Sequence, residues 1–420
     1  MADALVARGL VHAADGVSPD IIVVNTCTVT REATKASRMA LRRAVRDNPD
    51  AKVVAIGCYA VSNPDEIGAI DGVDLVLGND EKESFADALA GAVPTAPLLQ
   101  LGFAVSGAEK SRHVQKEWGG PRVRANLKAQ TGCDEWCTFC IIPTTRGPLR
   151  SMDEDQLVSE ARARVDSGAK ELVLTGVHLG KYRFDRGGDE RDLLRLFTRL
   201  LGIEGVLRLR LSSILSAHLT DEVIDYIASE PRICRYLHVP LQSGADQILE
   251  AMHRPYTIAE YLDSVERAQQ RLPGLALATD IIVGFPGETE EHFLATMDVV
   301  RRVGFSKLHV FRYSARADTA AAEFPDAVDP GTKKDRSKRL IDLGNDLRTR
   351  FLAAHLGRPL AVLVEDEREV DGVSVCSGQT DDYVRVWFEA RGLLGQVVEV
   401  VGHEVRSDGI RGGTVVAAAV

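Results

Sequence analysis

The sequence of 420 residues contains no run of about 18 apolar residues, the length that a membrane-spanning helix requires. Its first residues also lack the basic segment followed by an apolar segment that marks a secretory signal. We therefore expect a cytoplasmic protein with no membrane partner. The formal net charge of −10 argues against a protein that coats DNA or RNA indiscriminately, because such binding depends on neutralised phosphates.

Seven cysteines in a reducing compartment are not expected to form a disulfide framework, and their spacing is interpreted first as metal or redox chemistry. Cys133, Cys137 and Cys140 form a C-x3-C-x2-C triplet with no fourth cysteine nearby. Three thiolates hold three irons of a 4Fe–4S cubane and leave the fourth iron open. The alternatives are a zinc site with a distant fourth ligand, although such sites usually show paired C-x2-C units, and three buried thiols without a metal.

The hydrophobic pattern and the composition of the sequence divide the chain into four parts. Residues 1–95 alternate helix and strand, with a helix over 3–13 and buried strands at 20–25, 51–56 and 73–77. Residues 96–122 are polar and proline-containing and are predicted to be a linker. Residues 123–356 alternate again, and residues 357–420 form short, glycine-punctuated strands that predict a small closed β-barrel.

The third part predicts six βα units that close partway into a barrel, with chemistry at the carboxyl ends of the strands. The expected strands lie near residues 125–130, 171–177, 208–214, 235–241, 276–284 and 307–313. The expected helices lie at 155–167, 190–202, 217–229, 257–272 and 288–303, followed by a basic helix over 332–356. The overall fold class is therefore α/β: an incomplete Rossmann-like domain, a (β/α)6 partial barrel and a small β-barrel.

The triplet, with Phe139 before its last cysteine, resembles the radical S-adenosylmethionine (SAM) superfamily. The resemblance implies that SAM chelates the open iron and that one electron cleaves it to a 5′-deoxyadenosyl radical. Gly168 and Glu171 lie where a Gly-x-Glu element usually meets the SAM amino group. The remaining residues implied to contact SAM follow later strands: Ser212, Ser213, Asp280 and Gly284.

Motifs along nearly the whole chain are similar to those of the methylthiotransferases. Cys27 in Asn-Thr-Cys and Cys58 in Gly-Cys-Tyr resemble two of the three cysteines that hold an auxiliary 4Fe–4S cluster in that family. The third normally precedes them on a first strand. Either the true start lies upstream, which we favour, or the chain lacks that ligand. The C-terminal segment around Tyr383 resembles the TRAM domain, an RNA binder.

The segment from Leu174 to Gly180 is similar to the branch that acts on N6-threonylcarbamoyladenosine in tRNA. The implied reaction replaces C2–H of that base in the anticodon loop by a methylthio group, with one SAM as radical source and a second as methyl donor. The implied electron donor is a flavodoxin or ferredoxin. Three alternatives stay open: isopentenyladenosine in tRNA, an aspartate of a ribosomal protein, or a truncated paralogue that cleaves SAM without inserting sulfur.

A tRNA enzyme needs a positive surface, and the C-terminal part does not supply one. Residues 356–420 carry 6 Lys and Arg against 11 Asp and Glu. We therefore expect the RNA to contact the linker and the mouth of the partial barrel. The candidate basic residues are Lys110, Arg112, Lys116, Arg122, Arg124, Lys128, Arg146, Arg150, Lys333, Lys334, Arg336, Lys338 and Arg339. His178, His238 and His309, near strand ends, are candidates for substrate contact or for structural hydrogen bonds.

Overall fold

The computed structural model of the protein describes residues 11–13, 17–79, 98–103 and 122–416. The chain divides into two compact units. The first comprises Met1–Gly120 together with Cys140–Gly147 and Arg316–Thr319, and the second comprises Pro121–Phe139, Pro148–Ala315 and Ala320–Val420. None of the described helices combines the length and the apolarity that a membrane span requires.

The first unit is built on a parallel sheet. Its strands are β1 (Val11–His12), β2 (Ile21–Thr26), β3 (Lys52–Gly57), β4 (Leu75–Leu77) and β5 (Leu98–Phe103). They lie in the order β1-β5-β2-β3-β4. The helices are α1 (Arg31–Asp47), α2 (Cys58–Ser62), α3 (Pro64–Gly68) and, from the inserted segment, α4 (Ile142–Arg146). Thr30 begins α1, because its side chain accepts a hydrogen bond from the backbone N–H of Ala33.

Two expectations for this unit need correction. Part of the predicted linker is β5, which pairs with β2 in parallel, Ile21 opposite Leu99. Backbone pairing with that segment satisfies an edge of β2 that would otherwise be unpaired, and the local sequence pattern does not reveal this pairing. A helix is predicted over residues 3–13, but the last part of that range, Val11–His12, is a strand that pairs with β5. The rest of that predicted helix lies outside the described residues.

The second unit contains the predicted alternation of strands and helices. The strands are β6 (Arg124–Lys128), the short pair β7 (Gln130–Thr131) and β8 (Arg150–Ser151), then β9 (Glu171–Thr175), β10 (Arg208–Leu211), β11 (Tyr236–His238), β12 (Ala276–Val283) and β13 (Lys307–Arg312). The helices are α5 (Glu154–Asp166), α6 (Glu190–Leu201), α7 (Asp221–Ser229), α8 (Asp246–Ala251), α9 (Ile258–Arg271), α10 (Glu290–Val303) and α11 (Pro330–Ala353). The capping box expected at Thr257 and Glu260 is present at the start of α9.

Six of these strands form the partial barrel. They make two parallel three-stranded sheets, in the orders β10-β9-β6 and β11-β12-β13. Isolated bridges join the sheets, Leu209 to Ile233 and Ser213 to His238. The main apolar core lies between the strands and the helices that follow them, with Leu172, Ile281 and Phe293 fully buried. The carboxyl ends of the strands therefore meet at one edge, called here the carboxyl edge.

The C-terminal part is a closed five-stranded barrel, as the sequence predicts. Its strands are β14 (Pro359–Val370), β15 (Val373–Gln379), β16 (Arg385–Glu389), β17 (Val397–Arg406) and β18 (Gly409–Val416). They close in the order β14-β15-β16-β18-β17 around a core that includes Val362, Val386 and Phe388. Closure removes the unpaired edges that an open sheet of this length would expose.

Candidate functional site

A buried glutamine fixes the loop that carries the cysteine triplet. Gln130, in β7, donates from Nε2 to the carbonyl oxygens of Thr131 at 2.6 Å and Gly132 at 2.7 Å. Its Oε1 accepts a hydrogen bond from the backbone N–H of His178 at 2.7 Å. One side chain therefore ties the start of the loop to the turn that follows β9. The loop holding Cys133 and Cys137 is in this way anchored at the carboxyl edge.

Charged residues inside the loop have partners on the segment after β9. Glu135 lies 3.0 Å from Nε2 of His178 and 2.6 Å from Nζ of Lys181, and Lys181 also reaches Asp134 at 3.0 Å. The hydrogen bond from His178 is the largest influence that lowers the pKa of Glu135 to about 2. A carboxylate beside the cysteines is thus held ionised by its own partners. We infer that this network orients the loop.

An arginine that the sequence analysis did not single out touches the triplet. Nη1 of Arg254 lies 3.2 Å from Sγ of Cys137, a buried residue. Nη2 of Arg254 is buried and has no hydrogen-bond partner among the residues that the structure describes. The loop is also held from this side, because Thr138 donates to the carbonyl oxygens of Met252 and Ala251. A guanidinium at this position favours an anionic group beside it.

A row of polar side chains crosses the carboxyl-edge half of the partial barrel. Oγ of Ser213 lies 2.6 Å from Nδ1 of His238, and Nε2 of His238 lies 3.0 Å from Oδ1 of Asp280. Nδ1 of His309 lies 3.2 Å from that same oxygen. Burial raises the pKa of Asp280, but hydrogen bonds from the two histidines outweigh it and lower the pKa to about 2. The sequence named these residues separately, and the structure brings them together.

The residues expected to contact SAM do not all lie at the carboxyl edge. Ser212 and Ser213 follow β10, and Gly284 follows β12. Phe139 packs against an apolar cluster that includes Met252 and Phe285. Oγ of Ser212 is buried and has no hydrogen-bond partner among the described residues. These positions stay predictions for SAM contact.

The structure corrects the expectation for Gly168 and Glu171. Glu171 is the first residue of β9 and pairs with Arg124, the first residue of β6. Both therefore lie where the strands begin, at the edge opposite the carboxyl edge, called here the amino edge. Its fully buried carboxylate is bound by Arg210 at 2.7 Å and by Arg124 at 2.8 Å. Gly168 forms the turn before β9, with a φ of 105°. Glu171 therefore serves a buried ion pair at the far end of the strand from the cysteine loop.

The amino edge of the partial barrel is closed by the C-terminal barrel. Arg208 donates to the carbonyl oxygens of Gln379 at 2.8 Å and Ala361 at 2.7 Å. Arg210 donates to the carbonyl oxygen of Thr380 at 3.0 Å. The rings of Tyr236 and Tyr383 stack with their centroids 4.7 Å apart. A substrate therefore has to reach the interior from elsewhere than this edge.

In the first unit, Cys27 and Cys58 follow neighbouring strands. Because Thr26 pairs with Gly57 across β2 and β3, both cysteines lie at the same edge of the sheet. Nε of Arg146 lies 3.3 Å from Sγ of Cys58, and Nδ2 of Asn79 lies 3.6 Å from it. The backbone N–H of Cys27 donates to Ser37 at 2.9 Å. The sequence predicts that Cys27 and Cys58 act together. It does not predict the contact of Cys58 with Arg146, because Arg146 comes from the distant segment Cys140–Gly147.

A second arginine of the first unit, Arg316, is close to Cys27. Its Nη1 donates to Oγ1 of Thr34 at 3.2 Å, while Nε and Nη2 are buried with no hydrogen-bond partner among the described residues. Burial and the charge of Arg31 lower the pKa of Arg316, and interaction with Cys27 opposes that shift. Two guanidinium groups thus flank the cysteine pair, as an anionic group held there would require.

The basic helix α11 is only partly available to a nucleic acid. Arg336 is buried and binds Glu288 at 2.7 Å, Arg339 binds Glu290 at 2.7 Å, and Lys338 binds Asp342 at 2.6 Å. Burial removes Arg336 from the candidate basic residues, and ion pairs partly neutralise the charges of Lys338 and Arg339. Arg124 is likewise engaged by Glu171. The linker residues Lys110, Arg112 and Lys116 lie outside the described residues.

Comparison with known proteins identifies two matching family models. The model described as "Radical SAM superfamily" matches residues 127–300, and the one described as "Uncharacterized protein family UPF0004" matches residues 1–78. A Bacillus subtilis protein named threonylcarbamoyladenosine tRNA methylthiotransferase MtaB is 40% identical over 392 residues, covering 91% of this chain and 85% of the relative. The chain belongs to the radical SAM methylthiotransferase family.

Other relatives of this methylthiotransferase carry a different substrate in their names. A Sorangium cellulosum protein named tRNA-2-methylthio-N(6)-dimethylallyladenosine synthase is 34% identical over 442 residues, covering 95% of this chain and 86% of that protein. Among solved structures, the radical SAM methyltransferase TsrM from Kitasatospora setae superposes with a TM-score of 0.53 at 19% identity, covering 73% of this chain and 64% of that one. This last likeness shows the fold alone.

The surroundings of the cysteine loop fit the iron–sulfur cluster that a radical SAM methylthiotransferase uses together with SAM. A 4Fe–4S cluster bound by three thiolates is anionic, and hydrogen bonds to its sulfurs tune its reduction potential. Nη2 of Arg254, beside Cys137, is a buried donor without a partner among the described residues. A sulfur of the cluster could accept its hydrogen bond. The donor set is therefore chemically suited to the cluster.

Proposed function

We propose that this methylthiotransferase converts N6-threonylcarbamoyladenosine at position 37 of tRNA to its 2-methylthio derivative, with one SAM as radical source and one as methyl donor. The proposal is carried by the identity to relatives named for that substrate, which extends over 91% of the chain. The Leu174–Gly180 segment supports it, since the structure places its His178 in direct contact with the cysteine loop. The protein is then one component of tRNA maturation.

In this proposal Cys133, Cys137 and Cys140 hold the radical cluster. When bound, that cluster and SAM supply a 5′-deoxyadenosyl radical that takes the hydrogen atom from C2 of the adenine. The residues of the chain position the cysteine ligands and exclude water from the reacting groups. Gln130 fixes the loop, Arg254 donates to Cys137, and Phe139 packs against apolar neighbours that exclude water.

Cys27 and Cys58 are proposed to bind the auxiliary cluster, which supplies the sulfur. Arg146 and Arg316 stabilise the anionic character of that group from within the same unit. The hydrogen lost from C2 leaves in 5′-deoxyadenosine, and the methyl group comes from the second SAM, which leaves as S-adenosylhomocysteine. A low-potential donor such as flavodoxin or ferredoxin supplies the electrons.

The target base is proposed to approach from the carboxyl edge of the partial barrel. The C-terminal barrel closes the amino edge, through Arg208, Arg210 and the stacked Tyr236 and Tyr383. Bases of an anticodon loop are single-stranded and can be splayed out towards such an edge. Lys333 lies at this edge, because its side chain is over the ring of Tyr313 and against Gly284. The start of α11 is thus a candidate for backbone contact with the RNA.

The test is a substrate panel with nucleoside mass spectrometry. The anaerobically reconstituted protein is given SAM, a reductant and, separately, tRNA bearing threonylcarbamoyladenosine, tRNA bearing isopentenyladenosine, or the ribosomal-protein substrate. We expect 2-methylthio product only with the first. Product with the second would favour the substrate of the Sorangium relative. Product with the third would favour a role for the acidic C-terminal barrel in binding a basic protein.

Cysteine variants separate the two proposed clusters. Cys133→Ala should abolish both 5′-deoxyadenosine and methylthio product, while Cys58→Ala should keep SAM cleavage and lose the product. Cys376→Ala is the matched control, since that thiol is buried in the core of the C-terminal barrel. If wild-type protein cleaves SAM with every substrate and methylthiolates none, the reading of a paralogue without sulfur insertion replaces this proposal.

A further inference from the structure

The two predicted clusters do not account for the polar row inside the partial barrel, two of whose members, Ser213 and Asp280, are also predicted to contact SAM. His238 is the last residue of β11, Asp280 lies within β12, and His309 lies within β13. These strands are adjacent and parallel, and Asp280 is paired with His309 in register. The backbone of the sheet therefore fixes the convergence of the three side chains, which does not depend on flexible loops.

We propose that His238, Asp280 and His309 form a binding site for a divalent transition-metal ion. Their donor atoms all lie within 4.8 Å of one another. Both imidazoles face a single carboxylate oxygen, Nε2 of His238 at 3.0 Å and Nδ1 of His309 at 3.2 Å. Donors bound to one ion at about 2.0–2.2 Å lie about 3–3.5 Å apart, and the two histidine–aspartate separations fall in that range.

The position of Ser213 supports ligation by His238. Its Oγ lies 2.6 Å from Nδ1 of His238, on the ring nitrogen opposite to the one that faces Asp280. Histidine ligands of metals are usually held in this way, with the second ring nitrogen hydrogen-bonded to a protein oxygen that fixes the orientation of the ring. Ser213 is itself fixed by its backbone bridge to His238.

The exposure of the three side chains is graded across the site. The side chain of His238 is 10% exposed, that of Asp280 is 26% exposed and that of His309 is 38% exposed. An ion between them would be enclosed on the His238 side and accessible on the His309 side. Three protein ligands with an accessible face leave coordination positions for water or a substrate oxygen, as in catalytic rather than structural metal sites.

The donor set selects the class of ion. Two imidazoles and one carboxylate suit zinc, ferrous iron, cobalt or nickel, whereas magnesium and calcium prefer sites made of oxygen donors only. The site supplies no thiolate, so a metal held there would differ chemically from the iron held by the cysteines. This inference does not depend on the proposed tRNA substrate.

Zinc binding to the cluster-loaded protein tests the site, since occupied cysteines do not compete for zinc. The reconstituted protein is dialysed anaerobically against zinc, its metal content is measured, and zinc-edge X-ray absorption reports the ligands without interference from iron. We expect one zinc per chain with nitrogen and oxygen ligands that include imidazole. No retained zinc, or a zinc shell of sulfur ligands, would overturn the proposal.

Variants locate the ion. His309→Ala and Asp280→Asn should weaken zinc binding by at least about 100-fold, and Ser213→Ala by about 10- to 100-fold, the range seen when a supporting hydrogen bond to a ligand is removed. His403→Ala is the matched control, since His403 is exposed on the C-terminal barrel. Circular dichroism and iron content verify that each variant is folded and loaded. Wild-type zinc affinity in folded His309→Ala protein would contradict the assignment.

Discussion

Nη1 of Arg254 donates to Sγ of Cys137 across 3.2 Å, joining the segment after α8 to the cysteine loop although 117 positions separate them. A positive charge beside a cluster ligand stabilises the reduced, more negative form of the cluster. Arg254→Gln should therefore lower the reduction potential on the order of tens of millivolts while iron content is kept. A redox titration followed by electron paramagnetic resonance measures the shift.

Arg254→Lys is the companion variant, because it keeps the charge and removes the planar pair of donors. Its potential should lie between those of the wild type and Arg254→Gln. Equal potentials in all three proteins would show that the arginine holds the loop without tuning the cluster.

The ion pair at the amino edge predicts that a change at Glu171 lowers the stability of the protein without changing its affinity for SAM. Glu171→Gln removes one partner of a fully buried ionic contact with Arg124 and Arg210 and should cost about 3–5 kcal/mol in the free energy of unfolding. SAM affinity of the folded variant should be unchanged. Urea unfolding and equilibrium dialysis measure the two quantities. A large loss of SAM affinity at unchanged stability would restore the original expectation for Glu171.

A histidine–aspartate pair between α11 and the C-terminal barrel predicts a pH-dependent stability. His355 lies 2.5 Å from Asp382, and although burial lowers the pKa of His355, the hydrogen bond and charge of Asp382 raise it above its usual value of 6.5. Because the folded-state pKa is raised, the stabilisation is fully present below about pH 6.5 and is lost as the pH rises through the folded pKa.

The Asp382→Asn variant isolates this contribution. It should lose about 1.5–3 kcal/mol relative to the wild type at pH 6, the usual value of a hydrogen bond to a charged group, and less at pH 9. Thermal or urea unfolding at both pH values gives the difference. A constant difference between the proteins at the two pH values would be inconsistent with titration of His355.

The start of α11 predicts two different effects of changing basic residues. Lys334 is exposed near the carboxyl edge, so Lys334→Glu should weaken tRNA binding and reduce its salt dependence by about one phosphate contact. Arg336 is buried against Glu288, so Arg336→Gln should lower stability and leave the salt dependence of the folded protein unchanged. Filter binding across salt concentrations distinguishes them. An unaltered salt slope for Lys334→Glu would place this helix outside the tRNA footprint.

Local patterns account for the parts of the fold that the sequence predicts. Apolar runs such as Ile281 to Val283 identify buried parallel strands, and the pairing of Thr257 with Glu260 identifies a helix start. The cysteine triplet is contiguous, so its chemistry is visible without a structure. Strand β5 was missed because prolines nearby in the sequence favoured a linker, and only its pairing with β2 shows the strand.

Contacts between distant positions explain what the sequence could not predict. Glu171 matched a short motif, but its role depends on the register of β6 and β9, which places it at the amino edge. Arg254 carried no motif at all. The sequence allows an interpretation of His238, Asp280 and His309 one at a time, each from its own strand. Their convergence follows from the order of the three strands in the sheet.

Methylthio transfer to tRNA by this protein is tested most directly with SAM whose methyl group carries deuterium. The reconstituted protein, a reductant and tRNA bearing threonylcarbamoyladenosine are combined, and the digested nucleosides are analysed by mass spectrometry together with 5′-deoxyadenosine. We expect the 2-methylthio nucleoside to carry three deuterium atoms and 5′-deoxyadenosine to form alongside it. Absence of both products from wild-type protein with intact clusters, or product formation that persists in Cys133→Ala, would contradict that expectation.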